Sequence, residues 1–215
     1  MKKLSLILLA FFFITGTAYS QSIGAFAGYG QSAFGEDSFE MGDETEQANY
    51  IPLGAQILFG TGGNFEIGGE INYAVVPFTF EMNMFDMHVA DMEVEQLYFG
   101  ALARFKIGTG SGIWPYIRAG AGLYTGSLNI KYTDELKELY LLDTGMELED
   151  ESADFKSAFG FNAGVGAEIN FSHNNGVFAE FVYHVVDREL DGEDGGEAGS
   201  ANNWALHVGF RFSLK

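Results

Sequence analysis

The chain has no cysteine among its 215 residues. That excludes a disulfide framework, thiolate catalysis, thiolate metal ligation and lipid attachment through an N-terminal cysteine. Proline is scarce, at 3 residues, so little interrupts a long ladder of strands. Basic residues are few as well: 11 Lys and Arg stand against 30 Asp and Glu, for a net charge of −19. Such a balance opposes nucleic-acid binding, which requires a basic footprint. After residue 20 no apolar run approaches the ~20 residues of a membrane-spanning helix. What the chain has in quantity is glycine, 29 residues, and phenylalanine, 21 residues. Disordered acidic chains are poor in aromatics, so this one folds and places its acids in particular regions.

The N-terminus reads as a secretory signal. Lys2 and Lys3 form a basic start, Leu6 to Ile14 an apolar core, and Ala18-Tyr19-Ser20 a small-residue cleavage pattern. Residues 1–20 are thus expected to be removed and the mature chain to begin at Gln21. Residues 21–215 then form one domain. Losing Lys2 and Lys3 leaves nine basic residues against 30 acids.

The clearest pattern runs from Phe155 to Val186. Phe159, Phe161, Ala163, Val165, Ala167, Ile169 and Phe171 alternate with Ala158, Gly160, Asn162, Gly164, Gly166, Glu168 and Asn170. A period of two over this length is a strand, since a helix would distribute these residues around its axis. The turn His173-Asn174-Asn175-Gly176 joins it to a second strand, making a hairpin.

Further strands follow from the same alternation: Ser22 to Tyr29, Tyr50 to Phe59, Phe65 towards Phe80, Gln96 to Ile107, Ile113 to Ile130 and Trp204 to Leu214. Pro77 predicts a bulge or an extension beyond the membrane in the third strand. Eight strands result, joined by connections that alternate long and short. The short turns fall at Gly60–Asn64, Gly108–Gly112 and Ser172–Gly176. An even number of antiparallel strands with short turns at one end and long loops at the other is the pattern of a transmembrane barrel. The four long segments, including 81–95 and 131–154, hold 26 of the 30 acids. Within 131–154, Glu135 to Leu142 suits a short helix.

Only Glu66, Glu70, Glu168 and Glu180 fall inside the expected strands. They share the small, polar face with Arg104, Lys106, Arg118 and Arg211. In a soluble, lipocalin-like barrel the apolar face would point inward and these charges would meet water. That arrangement leaves Leu97, Phe99, Phe159, Phe161, Leu206, Phe210 and Phe212 as more apolar bulk than an eight-stranded lumen needs. Lipid accommodates it, with the charges paired inside a lumen just wide enough for side chains. Trp114, Tyr116, Tyr50, Tyr183 and Trp204 lie near strand ends, where an interfacial aromatic girdle belongs.

The segments Trp114-Pro115-Tyr116-Ile117-Arg118-Ala119-Gly120-Ala121-Gly122, Phe159-Gly160-Phe161-Asn162-Ala163-Gly164-Val165-Gly166-Ala167-Glu168 and Val208-Gly209-Phe210-Arg211-Phe212 resemble the small outer-membrane β-barrel proteins, the porin-like and OmpA/OmpX-like group. The resemblance implies an all-β, eight-stranded antiparallel up-and-down transmembrane barrel. It implies an outer-membrane location, with long loops extracellular and short turns and C-terminus periplasmic. Outer-membrane lipids and lipopolysaccharide are the implied surroundings of a monomer, with no cofactor, no metal and no nucleic acid.

The interior charges Glu66, Glu70, Arg104, Lys106, Arg118, Glu168, Glu180 and Arg211 are expected to plug the lumen, with a narrow porin-like channel as the alternative. His184 and His207 share the interior parity and are expected together at the outer rim. A lipid A-modifying enzyme is the other alternative, but no serine on a neighbouring strand completes a nucleophile–base set. Asp191 to Glu197 mixes acids and glycines without the ligand order of a calcium loop. The expected role is structural or surface-interacting, and not enzymatic.

Overall fold

The computed structural model describes residues 20–32, 48–61, 63–82, 87–108, 112–172, 175–186 and 202–214. The expected signal segment before Ser20, the turn residues His173 and Asn174, and the acidic run Asp191 to Glu197 lie outside the described residues.

Nine strand segments form one sheet: β1 (Ser20–Ser32), β2 (Ala48–Tyr50), β3 (Leu53–Gly60), β4 (Phe65–Met82), β5 (Met87–Lys106), β6 (Ile113–Tyr132), β7 (Glu151–Asn170), β8 (Asn175–Val185) and β9 (Asn203–Leu214). Segments β2 and β3 both pair with β1 and are separated by Ile51 and Pro52, so together they make one stave. Across that gap the Gly28 N–H still donates to the Pro52 carbonyl at 2.9 Å. Every neighbouring pair is antiparallel, and β1 pairs with β9 from Gln21↔Leu214 to Ser32↔Asn203. The sheet therefore closes on itself as an eight-staved barrel with no free edge through its middle.

The faces settle as the alternation requires. Phe159, Phe161, Val208 and Phe210 point outward and are more than half exposed, whereas Arg104 at 0% and Glu180 at 1% are sealed inside. A water-soluble protein buries its apolar side chains and exposes its charges; this barrel does the reverse. The lipocalin-like alternative fails on that inversion.

The strands at the long-connection end extend further than their apolar belt. On β5 the outward residues are apolar from Leu97 to Phe105, roughly the nine to eleven residues a tilted strand needs to cross a bilayer. Beyond Leu97 the outward positions become Glu95, Glu93 and Asp91. Residues 81–82 and 87–95 are thus strand rather than the loop that the charge pattern suggested, because β4 and β5 stay paired above the belt as far as Met82↔Met87. Alternation persists there, but the outward face is charged. Pro77 sits within this paired stretch opposite Glu93 without shifting register, and the irregularity falls at Phe80/Glu81 instead. The β3 ladder stops at Tyr73, so β4 is an edge strand at Pro77 and the missing N–H disrupts no second ladder.

A second irregularity, between Tyr124 and Gly126 on β6, sets one residue against two on β7. It reverses parity along β7, so Phe155 is buried while Phe159 and Phe161 face out. The apolar cluster it joins, with Tyr50, Val76, Met92, Val94, Leu128 and Ala205, fills the lumen at the long-connection end. Tyr50 and Tyr116, expected in the girdle, are interior residues instead. The outward girdle at this end holds Trp204, whose ring stacks on Phe181 with centroids 5.8 Å apart and meets Tyr29 edge-on at 6.2 Å.

After β6 comes the helix α1 (Asp134–Thr144), extending one residue before and two beyond the Glu135–Leu142 that the sequence suggests. The Thr133 hydroxyl accepts from the Leu136 N–H at 3.4 Å, and Gly145 at φ 72° closes the other end by donating to the Leu141 carbonyl. Lys137 holds Asp150 at 2.7 Å, and the Tyr132 N–H donates to the same carboxylate at 3.1 Å. The Lys137 hydrogen bond, then the Tyr132 N–H, keep the Asp150 carboxyl below the usual carboxylate range.

Adjacent glycines on β4 make a test of the closure. A Cβ on inward Gly68 would lie 1.7 Å from the Ile57 carbonyl oxygen, while one on outward Gly69 would meet only the Gly100 oxygen at an ordinary 3.5 Å. Gly68→Val is therefore expected to cost at least about 1–3 kcal/mol of overpacking strain, and Gly69→Ala almost nothing. Urea unfolding of the refolded protein in detergent measures both.

Candidate functional site

The lumen at the short-turn end and middle is occupied by charged side chains. Each arrives there because its strand presents alternate residues inward: Glu66 and Glu70 from β4, Arg104 and Lys106 from β5, Arg118 from β6, Glu168 from β7, Glu180 from β8 and Arg211 from β9. Four acids thus face four bases, all but Lys106 buried.

Two clusters form, and Arg104 joins them. Near the short turns, Arg211 forks onto Glu66 and Glu168, and the Lys106 ammonium lies 3.1 Å from Glu66 and 3.5 Å from Glu168. One layer further in, Arg118 pairs with Glu180 and, at 2.8 Å, with Glu70. The same guanidinium donates to the Asn162 side-chain oxygen at 3.1 Å. Arg104 lies between, 3.5 Å from both Glu168 and Glu180 and 4.0 Å from Glu66. Its third direction is taken by Gln56, whose Oε1 accepts at 2.9 Å. The Tyr116 ring lies beneath the Arg104 guanidinium at 4.0 Å, and its hydroxyl donates to Glu180 at 2.9 Å. A side chain buried at this depth requires such compensation, because an isolated ion there would cost many kcal/mol.

The two histidines are not neighbours at the rim. His207 lies in the middle of the lumen, fully buried, with Nδ1 3.2 Å from Glu180 and its ring stacked on Phe26 at 4.4 Å. His184 lies four residues further along β8, with Nδ1 2.8 Å from the Tyr124 hydroxyl. Shared parity places both inside the barrel, but the diagonal register of β8 and β9 sets His207 opposite Glu180 and His184 opposite Asn203. Around His184 is an uncharged polar layer: Asn162 donates to the Tyr98 hydroxyl at 2.9 Å and Tyr50 to Asn203 at 2.9 Å. A cavity of about 20 Å³ among Asn72, Gln96, Tyr98, Tyr124 and His184 has room for about one water molecule.

The sequence does not single out Gln56 or Asn162 as site residues, and it suggests Tyr116 for the girdle rather than the lumen. Their inward parity on β3, β6 and β7 was legible. Their partners were not, because those depend on which strands face each other across the lumen.

Among the described residues, no group of three or more His, Cys, Asp or Glu side chains is arranged to hold a metal ion. The carboxylates of the lumen are instead engaged by guanidinium and ammonium groups. An apolar outer belt, an ion-paired lumen and a closed antiparallel sheet define a transmembrane β-barrel. The chain belongs to the outer membrane protein beta-barrel domain family, whose model matches residues 6–212. Among solved structures, it is similar to the Neisserial surface protein A, at 13% identity and TM-score 0.55, with 89% of this chain and 96% of that one covered. It is similar also to the outer membrane protein OprG from Pseudomonas aeruginosa, at 13% identity and TM-score 0.55, covering 92% of this chain and 97% of that one. These likenesses concern the fold. A search of curated protein sequences gives no match. The protein is accordingly an outer-membrane β-barrel.

Arg104 is the test of the network. Arg104→Ala leaves Glu168 and Glu180 short of a cation and is expected to cost about 3–5 kcal/mol, as removal of one partner of a buried pair does. Lys131→Ala, which removes an exposed partner of Glu93 at 3.4 Å, is expected to cost under about 1 kcal/mol. Equilibrium unfolding in lipid vesicles separates the two.

Proposed function

We propose that this protein is a closed barrel serving as an envelope component and surface-interaction platform, and neither a solute channel nor an enzyme. One observation carries this reading: Arg104, at 0% exposure, meets groups from β3, β4, β7 and β8 where the two ion-pair layers join. Side chains that span the cross-section leave no aqueous path there. The apolar cluster around Val76 and Val94 supports the same reading from the other end.

The short turns and chain ends face the periplasm and the long connections face outside in this reading. The long-connection end carries the acidic strand extensions, suited to water and to cation-bridged lipopolysaccharide rather than to hydrocarbon. Residues 1–20 act as a signal, the mature chain starts at Gln21, and the barrel works as a monomer among outer-membrane lipids.

The lipid A-modifying alternative finds no support in the histidines. Both face the lumen, away from the lipid face, and each is committed to an interior partner, Tyr124 or Glu180. A lipid substrate would need its general base within hydrogen-bond reach.

Folded protein in a planar bilayer is expected to give no discrete conductance steps. Reproducible steps from protein verified as folded by its heat-modifiable mobility on gels would favour the narrow-channel alternative.

A further inference from the structure

Among the described residues, nothing packs on one surface of helix α1. None of its residues is buried. Leu142 is 83% exposed, Leu139 52%, and Met146, just beyond the C-cap, 60%. Positions 139 and 142 follow helical spacing and so lie on one face. Glu135, Glu138 and Asp143 border that face and are exposed too.

An 11-residue helix is below the roughly 12–15 residues at which isolated helices become even marginally stable in water. Helices in proteins depend chiefly on packing an apolar face. Here the caps are in place and no described residue covers the apolar face.

We propose that this face docks a cationic amphipathic segment of an extracellular polypeptide, its leucine-like side chains on Leu139 and Leu142 and its lysines or arginines on the flanking acids. The inference rests on the proposed orientation, in which the long connections face outside. Three considerations select the occupant. First, the segment's own cations are committed elsewhere, Lys137 to Asp150 at 2.7 Å and Lys131 to Glu93 at 3.4 Å, so the border of the face is left acidic. Second, Thr133 lies ten residues along β6 beyond Leu123, the last outward apolar residue of the belt before Thr125. At ~3.3 Å per residue and a tilt of ~45° this sets α1 roughly 20 Å above the hydrocarbon, too far for its leucines to enter acyl chains. Third, an acidic border attracts cationic side chains directly, whereas anionic headgroups meet it only through bridging cations. A helix-in-groove or helix-on-helix contact with basic flanks satisfies both the apolar and the charged parts of the face.

The experiment uses the full refolded protein in nanodiscs of zwitterionic lipid, with empty nanodiscs as the reference. The probe is a fluorescent 14-residue peptide of leucine and lysine, patterned as an amphipathic helix. A scrambled peptide of the same composition is the control. Expected is binding above the empty-disc level that weakens with added salt, prefers the patterned peptide, and falls about tenfold or more in Leu139→Ser/Leu142→Ser. Glu135→Gln/Glu138→Gln is expected to reduce binding and its salt dependence without touching the apolar residues. Both variants change exposed side chains, and unchanged heat-modifiable mobility verifies their folding. Binding equal to that of empty discs, or equal in folded wild type and the leucine variant, would overturn the proposal, the first outcome pointing to lipid partition alone. Failure here combined with a silent bilayer would refute the docking face and leave the closed-barrel reading standing. Conductance steps would refute that reading whatever the peptide does.

Discussion

Everything in this barrel depends on one constraint: charges enclosed in a narrow lumen must neutralise one another where they sit. Eight staves leave an interior about as wide as the side chains that fill it. Glu66, Glu70, Glu168 and Glu180 can remain there only because Arg104, Lys106, Arg118 and Arg211 arrive at matching levels. That matching fixes the barrel's register. Sliding β9 by one residue past its neighbours would turn Arg211 out into the lipid and Phe210 into the ion pairs, so register and neutrality are the same requirement. The network also explains the barrel's polarity. Once ion pairs fill the lumen, the phenylalanines of β7 and β9 have only the outside to occupy, and only hydrocarbon makes that favourable.

The lumen is layered rather than uniformly polar. Ion pairs occupy the short-turn end and the middle. The neutral groups of Tyr98, Tyr124, Asn162 and His184 come next, then the apolar cluster around Val76, Val94 and Phe155. The outer surface has its own sequence of layers, and the two are offset. Where the lumen becomes apolar, the outside of β5 becomes acidic at Glu95, Glu93 and Asp91. Above the belt the barrel is thus an ordinary water-soluble β-structure, apolar within and charged without. Within the belt the polarity is reversed. A single continuous strand such as β5 serves both environments because its alternation runs unbroken from Ala90 to Lys106 while the residue types on each face exchange.

Much of this was legible beforehand. Period-two alternation, the even strand count and the confinement of strand charges to one face specify the closed barrel and which face meets lipid. They do so because register and polarity are local properties of each strand. Four features were not legible, each for a physical reason. The acids of segment 81–95 suggested a loop, since charge in an alternating stretch signals solvent but does not distinguish a loop from a strand standing in water. The inward turn of Phe155 depends on a bulge opposite Tyr124, and its signature is backbone geometry rather than residue type. The separation of His184 from His207 follows from the diagonal register across β8 and β9, which sequence parity does not encode. Trans-lumen partners such as Gln56 for Arg104 lie on strands that never touch along the sheet, and no nearest-neighbour rule supplies them.

The central claim is that the lumen is closed by ion pairs that depend on each other. It is tested most directly by a double-mutant cycle on Arg118 and Glu180, replacing each by a leucine singly and together and measuring unfolding free energy in lipid vesicles. The account predicts that each single replacement strands a buried charge and is strongly destabilising, while the double replacement costs much less than their sum, with a coupling of about 1–3 kcal/mol or more. Additive effects, with a coupling within about 0.5 kcal/mol of zero, would mean that the two side chains do not meet inside the barrel and would contradict it.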